Sequence, residues 1–448
     1  MIKKTETFLK IVLVCLVAWL AYDLLRQAEP ETVAVSQSVY ETQSRDTAEA
    51  TTLSALPARY DGREAGRMPT VRSQGSLGTC WAITACSAME AYFLPQESLV
   101  FSPDHLSLQN SFSKDQNDGG AYTMVMAYLA AWQGPVLEED DPYGDGYSPE
   151  GLTAVKHVQE MQMFRNKDHD AIKRAVLQYG AVQSAIYMDL DNAFSSSVYY
   201  NQIENSYFYD GDQISNHDVL IIGWDDNYEA SHFNRNTQEA GAFICQNSWG
   251  EKFGDGGVFY VSYADVNIGN QAVAYTGIEE NDNYDHIYQT DLCGWVGQLG
   301  YGDESCFAAN VYVAGGAENL RAAGFYATGQ NTEYEIFVVE DFQDDSSFYK
   351  RRTLKRGIVQ ETGYYTAELD EPVALESGQR YAVGIEIHTP GTQYPVATEY
   401  VAGEATETVD ISDGEGYISH NGVIWTRTEE KHQANVCLKA YTEDREDA

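Results

Sequence analysis

VRSQGSLGTCWAITACSAMEAYF, residues 71–93, is the stretch on which the reading of the fold turns. Its second half sets Ala82, Ala85, Cys86, Met89 and Phe93 at three- and four-residue spacing, the apolar stripe of a packed helix. Its first half is a turn of small residues ending at Cys80. Cys80 therefore opens the helix, where unpaired backbone N–H groups present positive partial charge and favour a thiolate. As a packing residue it could as well be alanine. As a nucleophile it needs a base, a group to orient that base and a donor for an oxyanion.

Of nine histidines, His217 in ISNHDVLIIGW stands directly ahead of an apolar run, 219–224, that reads as a strand. A side chain anchored at a strand's start is held rigidly enough to meet a helix end. Further on, ICQNSWGEKFGDGGVFYVSY places Asn247 at the end of one strand, before a glycine-rich turn into the run 257–263. An amide there can accept the imidazole proton and fix the ring. A second helical segment, AYTMVMAYLAAW, follows Gly120. Helices come first and strands after, which predicts an α+β domain.

In chain order these residues match a family. QGSLGTCWA resembles the active-site signature of papain-like cysteine peptidases, and NHDVLIIGW and NSWGEKFGDGG resemble their His-strand and Asn-Ser-Trp-Gly motifs. LPARYDGREAGRMPTVRSQG, FSPDHLSLQ and NDGGAYTMVMAYLAAWQGPVLEEDDPY add similarity, so the resemblance covers roughly residues 56–275. It implies that Cys80 is the nucleophile, His217 the general acid/base and Asn247 its orienting partner. Gln74, with the Cys80 backbone N–H, would donate to the oxyanion. Trp249 would shield the His217–Asn247 bond beside the substrate, and Gly119 and Gly120 would admit an extended substrate backbone. The family's helix-proximal disulfide is absent as a pair, its two positions being Leu77 and Asn117. Asp218 stands where a small apolar residue is usual. It either lines the pocket for the substrate's second residue or points into solvent.

Beyond about residue 280, short strand-like runs recur between Gly, Asn and Asp clusters, among them 310–313, 320–326, 334–340, 364–369, 380–387 and 435–441. That spacing predicts an all-β sandwich. YDHIYQTDLCGW and FAANVYVAGGAENLRAAGFY are similar to the lectin-like domain that follows papain-like peptidases in some bacterial surface proteins. Tyr288, Trp295 and Tyr301 are either sandwich core or sugar-stacking platforms. Seven cysteines are too sparse for a disulfide scaffold, and a Cys293–Cys306 pair is left open.

The expected organisation is an export signal or N-terminal membrane anchor at 1–27 and a polar linker or short leader at 28–55. A papain-like peptidase domain follows at 56–277 and a lectin-like β-sandwich domain at 278–448. The leader is shorter than the folded inhibitory propeptide of many such peptidases. Net charge is −40, from 28 basic and 68 acidic residues, which argues against nucleic-acid binding. No Cys/His zinc spacing is visible, and EEDD (138–141) reads as a solvated loop without calcium-ligand spacing, so neither a metal nor a cofactor is expected. The expected function is an exported cysteine endopeptidase that cleaves polypeptides through a Cys80 acyl-enzyme, with a domain for glycans or other cell-surface ligands. The alternatives are an adhesin with a non-catalytic peptidase-like domain and a transpeptidase using the same Cys/His site.

Overall fold

The computed structural model describes residues 55–445, together with the backbone of Val35 and Ser36, which pairs antiparallel with Gln298 and Gly297. The expected export signal lies outside the described residues. Helix α1, Cys80–Phe93, is buried along its whole middle, from Trp81 to Ala91. Ala82, Ala85, Ala88 and Ala91 are the reason: their small side chains let neighbouring elements close on every side. Helix α2 is Tyr122–Ala130.

A sheet packs against α1. Its strands are β1 (Lys156–Arg165), β2 (Val182–Ile186), β3 (His217–Asp225), β4 (Ala242–Gln246), β5 (Val258–Ser262) and β6 (Gln271–Glu280). Their order in space is β1-β6-β2-β3-β4-β5. The runs 219–224 and 257–263 are strands as expected. Helix α3, His169–Tyr179, follows β1, so helices and strands interleave more than the helix-first reading allowed. Its stripe of Ile172, Ala175 and Val176 is short and was overlooked.

The C-terminal half is β-rich. Strands β7 (Glu318–Ala327), β8 (Thr362–Leu375) and β9 (Leu438–Asp444) form one layer, in the order β9-β7-β8. Facing it is a six-stranded sheet that includes Ser305–Val313, Thr332–Val339 and Arg380–His388. The run 435–441, read as one strand, is two, Ala434–Val436 and Leu438–Asp444. The chain changes sheets at Cys437, whose N–H is held by Ala397 O at 3.1 Å. Cys293 and Cys306 are both free thiols, so that pairing is not made. The Cys293 thiol instead faces Ser111 O at 3.4 Å. Trp295 and Tyr301 are buried, which is the packing alternative, while the partly buried Tyr288 donates its hydroxyl to Glu318.

The two halves are not separate bodies. β8 pairs with β1, with Thr362 opposite Met163 and Tyr365 opposite Glu160, so a single sheet of 13 strands runs through both. One core cluster holds Trp81 and Met161 from the first half and Trp295, Tyr326, Tyr364 and Cys437 from the second. At the same boundary, Ser111 O accepts from Thr408 Oγ1 at 2.8 Å and Ser113 N–H donates to Ala405 O at 3.0 Å. These bonds pin the loop that leads to Gly119 and Gly120.

A buried ion pair stiffens this junction. Lys439 Nζ on β9 meets Asp291 Oδ1 at 2.8 Å, and the two side chains are 1% and 0% exposed. Removing one member strands the other's charge in a dry interior. Lys439→Met is therefore expected to cost about 3–5 kcal/mol. The check is a urea titration, where an unchanged midpoint would contradict it.

Candidate active site

Two turns are sewn together around Cys80. Gln74 N–H donates to Ser248 O at 2.8 Å, and Gly250 N–H donates to Arg72 O at 2.9 Å. Ser248 Oγ donates to Gln74 Oε1 at 2.7 Å, which fixes the amide's orientation. Gln74 Nε2 gives one hydrogen to Leu77 O at 2.7 Å and keeps a second, since an amide nitrogen carries two. Tyr143 donates its hydroxyl to Gln74 O at 3.1 Å and also meets Thr79 Oγ1. Thr79, the residue before α1, is thus turned away from capping, and the helix N-terminus is left open at Cys80.

His217 begins β3, and its Nε2 lies 2.7 Å from Asn247 Oδ1. An amide oxygen only accepts, so Nε2 carries the proton and Nδ1 is the ring's acceptor. Ser248 N–H donates to the same Asn247 oxygen at 2.8 Å and fixes the amide. The Trp249 ring stands 5.1 Å from the imidazole, tilted by 45°, and covers that bond. The Cys80 sulfur is met by the backbone N–H of Asp218, the residue after His217, and by those of Trp81 and Cys80 itself. Sulfur, imidazole and amide, from three distant parts of the chain, therefore converge at the start of β3.

Burial opposes charge on both groups. Burial pushes the Cys80 thiol up to about 12, and the Asp218 carboxylate adds to the rise. Burial pulls His217 down to about 4, opposed by Asn247. A proton passed from sulfur to imidazole would leave two opposite charges, each favouring the other. Because the Asp218 charge disfavours a thiolate, Asp218→Asn is expected to lower the Cys80 pKa. The midpoint of iodoacetamide alkylation against pH should move to lower pH. A move to higher pH would contradict this account.

Gly119 takes a positive φ of 69°, which favours glycine, with only Gly78 O as near as 4.0 Å to where a Cβ would sit. Gly120 has a different reason, since a Cβ there would lie 2.2 Å from the Trp81 ring. Although no disulfide joins them, the loops still touch: a Cβ on Gly78 would come within 2.9 Å of Gln116 O. An open cleft of about 210 Å³ lies on one side of His217, lined by Gln74, Leu77, Met188, Asn216 and Trp249 among others.

Ser248 lies inside the Asn-Ser-Trp-Gly motif, but its bond to Gln74 could not be read from spacing. Tyr143, Gln183 and Tyr275 were missed altogether. Of these only Tyr143, in DDPYGDG, lies in a stretch the sequence reading had singled out.

Comparison with known proteins bears on the family and the fold. The family model "Papain family cysteine protease" matches residues 56–278, and "Lectin like domain" matches 287–442. A cysteine protease of Blomia tropicalis is 27% identical over 50% of this chain and 67% of its own length. Cathepsin K of Mus musculus is 26% identical over 45% of this chain and 58% of its own length, so the match spans little more than half of that relative. The solved cysteine protease and lectin-like domains of Cwp84, a surface-layer-associated protein of Clostridium difficile, superpose with a TM-score of 0.77. That likeness is at 25% identity and covers 89% of this chain and 91% of the other. A second structure, clostridial Cwp84 after propeptide cleavage, gives a TM-score of 0.75 at 24% identity, over 86% of this chain and 99% of that one. The chain carries a papain-family cysteine protease domain followed by a lectin-like domain.

Proposed function

We propose that this chain is an exported endopeptidase that cleaves polypeptides by acyl transfer through Cys80. The observation that carries the reading is the meeting of the Cys80 sulfur with the first residues of β3, where His217 is already held by Asn247. Cys80 is the nucleophile. Its proton passes to His217 Nδ1 as the S–C bond forms on the substrate carbonyl. His217 then protonates the leaving amine as the C–N bond breaks. Water, deprotonated by the same imidazole, hydrolyses the thioester and restores the thiol. Asn247 holds the ring, Trp249 keeps water from their bond, and Gly119 and Gly120 flank the substrate backbone.

The second hydrogen on Gln74 Nε2, with the Cys80 N–H, serves the oxyanion. Gln74→Ala is therefore expected to lower kcat by about 100- to 1,000-fold with a smaller change in KM. A loss confined to KM would contradict the assignment. The cleft beside His217 receives the leaving-group side of the substrate. We place the domains at 56–277 and 278–448, and assign the second a glycan or other cell-surface ligand. The surface-layer association of its structural neighbour supports a place outside the cytoplasm.

The test is a mechanism-based thiol epoxide applied to the whole purified chain. The expected result is a single adduct on Cys80 that abolishes peptide cleavage. An unlabelled Cys80, or cleavage that survives labelling, would overturn the reading.

A further inference from the structure

Side chains alternate along a strand, so Asp218 points to the opposite side of β3 from its neighbour His217. There its Oδ2 accepts from Gln183 Nε2 at 2.6 Å. Ala185 on β2 pairs with Asp218, so Gln183, two residues along, lies diagonally on the same face. Gln183 is itself fixed by the Tyr275 hydroxyl at 2.7 Å and by Trp81 O at 3.2 Å. The carboxyl is thus held at a set position beside the Cys80 sulfur, whose charge it opposes. Tyr122, just after Gly119 and Gly120, also feels that charge, which sets Asp218 towards the loop that carries the two glycines, and Asp218 does not line the cleft beside His217.

Asp218 has no counter-charge. Asp61 meets Arg59 and Arg63, Glu90 meets Arg72, and Asp291 meets Lys439. Asp218 meets no basic side chain among the described residues, and its second oxygen has no hydrogen-bond partner there. The residue is only partly buried, and Oδ1 is not among the enclosed unpartnered atoms, so this oxygen is the one left accessible. The guanidinium of Arg165, beside Tyr122, is committed to that hydroxyl and to the Trp295 ring at 5.6 Å. Burial lifts Asp218 to about 6 against the Gln183 bond, so at neutral pH it is an ill-solvated carboxylate. A charge of this kind, fixed and unpaired beside a reacting centre, is a site awaiting a cation. The net charge of −40 attracts such partners at longer range.

We infer that Asp218 is a specificity-determining residue that selects polypeptides carrying Arg or Lys immediately before the residue whose carbonyl Cys80 attacks. In an extended substrate the side chain of the attacked residue turns one way and the preceding one turns the other, towards the face where Asp218 sits. The cationic head supplies the ion-pair partner that the fold withholds. This inference rests on the peptidase reading and deepens it.

The test uses the whole chain and three fluorogenic peptides that differ only at that position: Arg, its neutral isostere citrulline, and Leu. Native protein and Asp218→Asn are compared, with rates normalised to Cys80 labelled by the thiol epoxide. The native kcat/KM for Arg is expected to exceed that for citrulline by roughly 10- to 100-fold, the worth of a charged hydrogen bond. In Asp218→Asn the ratio should fall to about one. Because it is a ratio, any change in thiol reactivity cancels. Cleavage of the Leu peptide with a labelled Cys80 but no Arg preference would overturn this inference alone, as would a preference that survives Asp218→Asn. Failure to cleave any of the three, with Cys80 unlabelled, would overturn the peptidase reading itself.

Discussion

Cys80→Ala is expected to lower kcat/KM for peptide hydrolysis by on the order of 10⁵- to 10⁶-fold, because nucleophile and base act as one unit and little survives the loss of either. The fold should be untouched. The Cys80 side chain is only partly buried, at the start of α1 rather than in its buried middle, and no hydrogen bond that joins the two turns depends on the sulfur. His217 would still be held by Asn247, and Gln74 by Ser248. The variant should therefore keep the native urea midpoint while losing turnover. Residual activity above one part in a thousand, measured on protein free of wild-type contamination, would contradict a covalent role for this sulfur.

The second large effect concerns the C-terminal half. A chain ending near residue 281 is expected not to fold into a stable protease, although the family match ends at 278. β1 would lose β8 and become an exposed edge beside the core. Trp295, Tyr326 and Tyr364 would leave the cluster they share with Trp81, at about 1.5–3 kcal/mol for each large side chain. Whole domains are stable by only ~5–15 kcal/mol, so those losses are decisive. The bonds from Ala405 and Thr408 to the loop before Gly119 would go as well. The whole chain should unfold in one calorimetric transition. A truncated chain that is soluble, active and melts at the parental temperature would contradict the shared core.

The sequence marked local features more sharply than contacts between distant segments. Cys80, His217 and Asn247 stood out as candidates because each sits at a junction with its own local signal: a small-residue turn before a helix, a polar residue before an apolar run, a strand end before glycines. The strands 219–224 and 257–263 were legible because they are buried and bounded by turn residues. What could not be read was anything that depends on two distant segments meeting. The pairing of β8 with β1 leaves no trace in either sequence, because Met161 and Tyr364 look like ordinary alternating strand residues in isolation. The same holds for Gln183, which is an unremarkable strand glutamine until it is found holding Asp218. The break at Cys437 was hidden for a related reason: the run 435–441, NVCLKAY, shows no turn residue at the point where it passes from one sheet to the other. Asp218 itself was visible as a departure from its family, but its bond to Gln183 depended on the register of β2 against β3.

The central claim is that the Cys80 sulfur becomes covalently bonded to the acyl half of the substrate. An activated ester of a short peptide, mixed with the whole chain and quenched in acid within one turnover, tests it directly by mass spectrometry. The account predicts a mass increase equal to the acyl group, confined to the fragment that contains Cys80, rising and decaying at the rate of turnover. Substrate consumed with no acyl group on Cys80 at any time would contradict it.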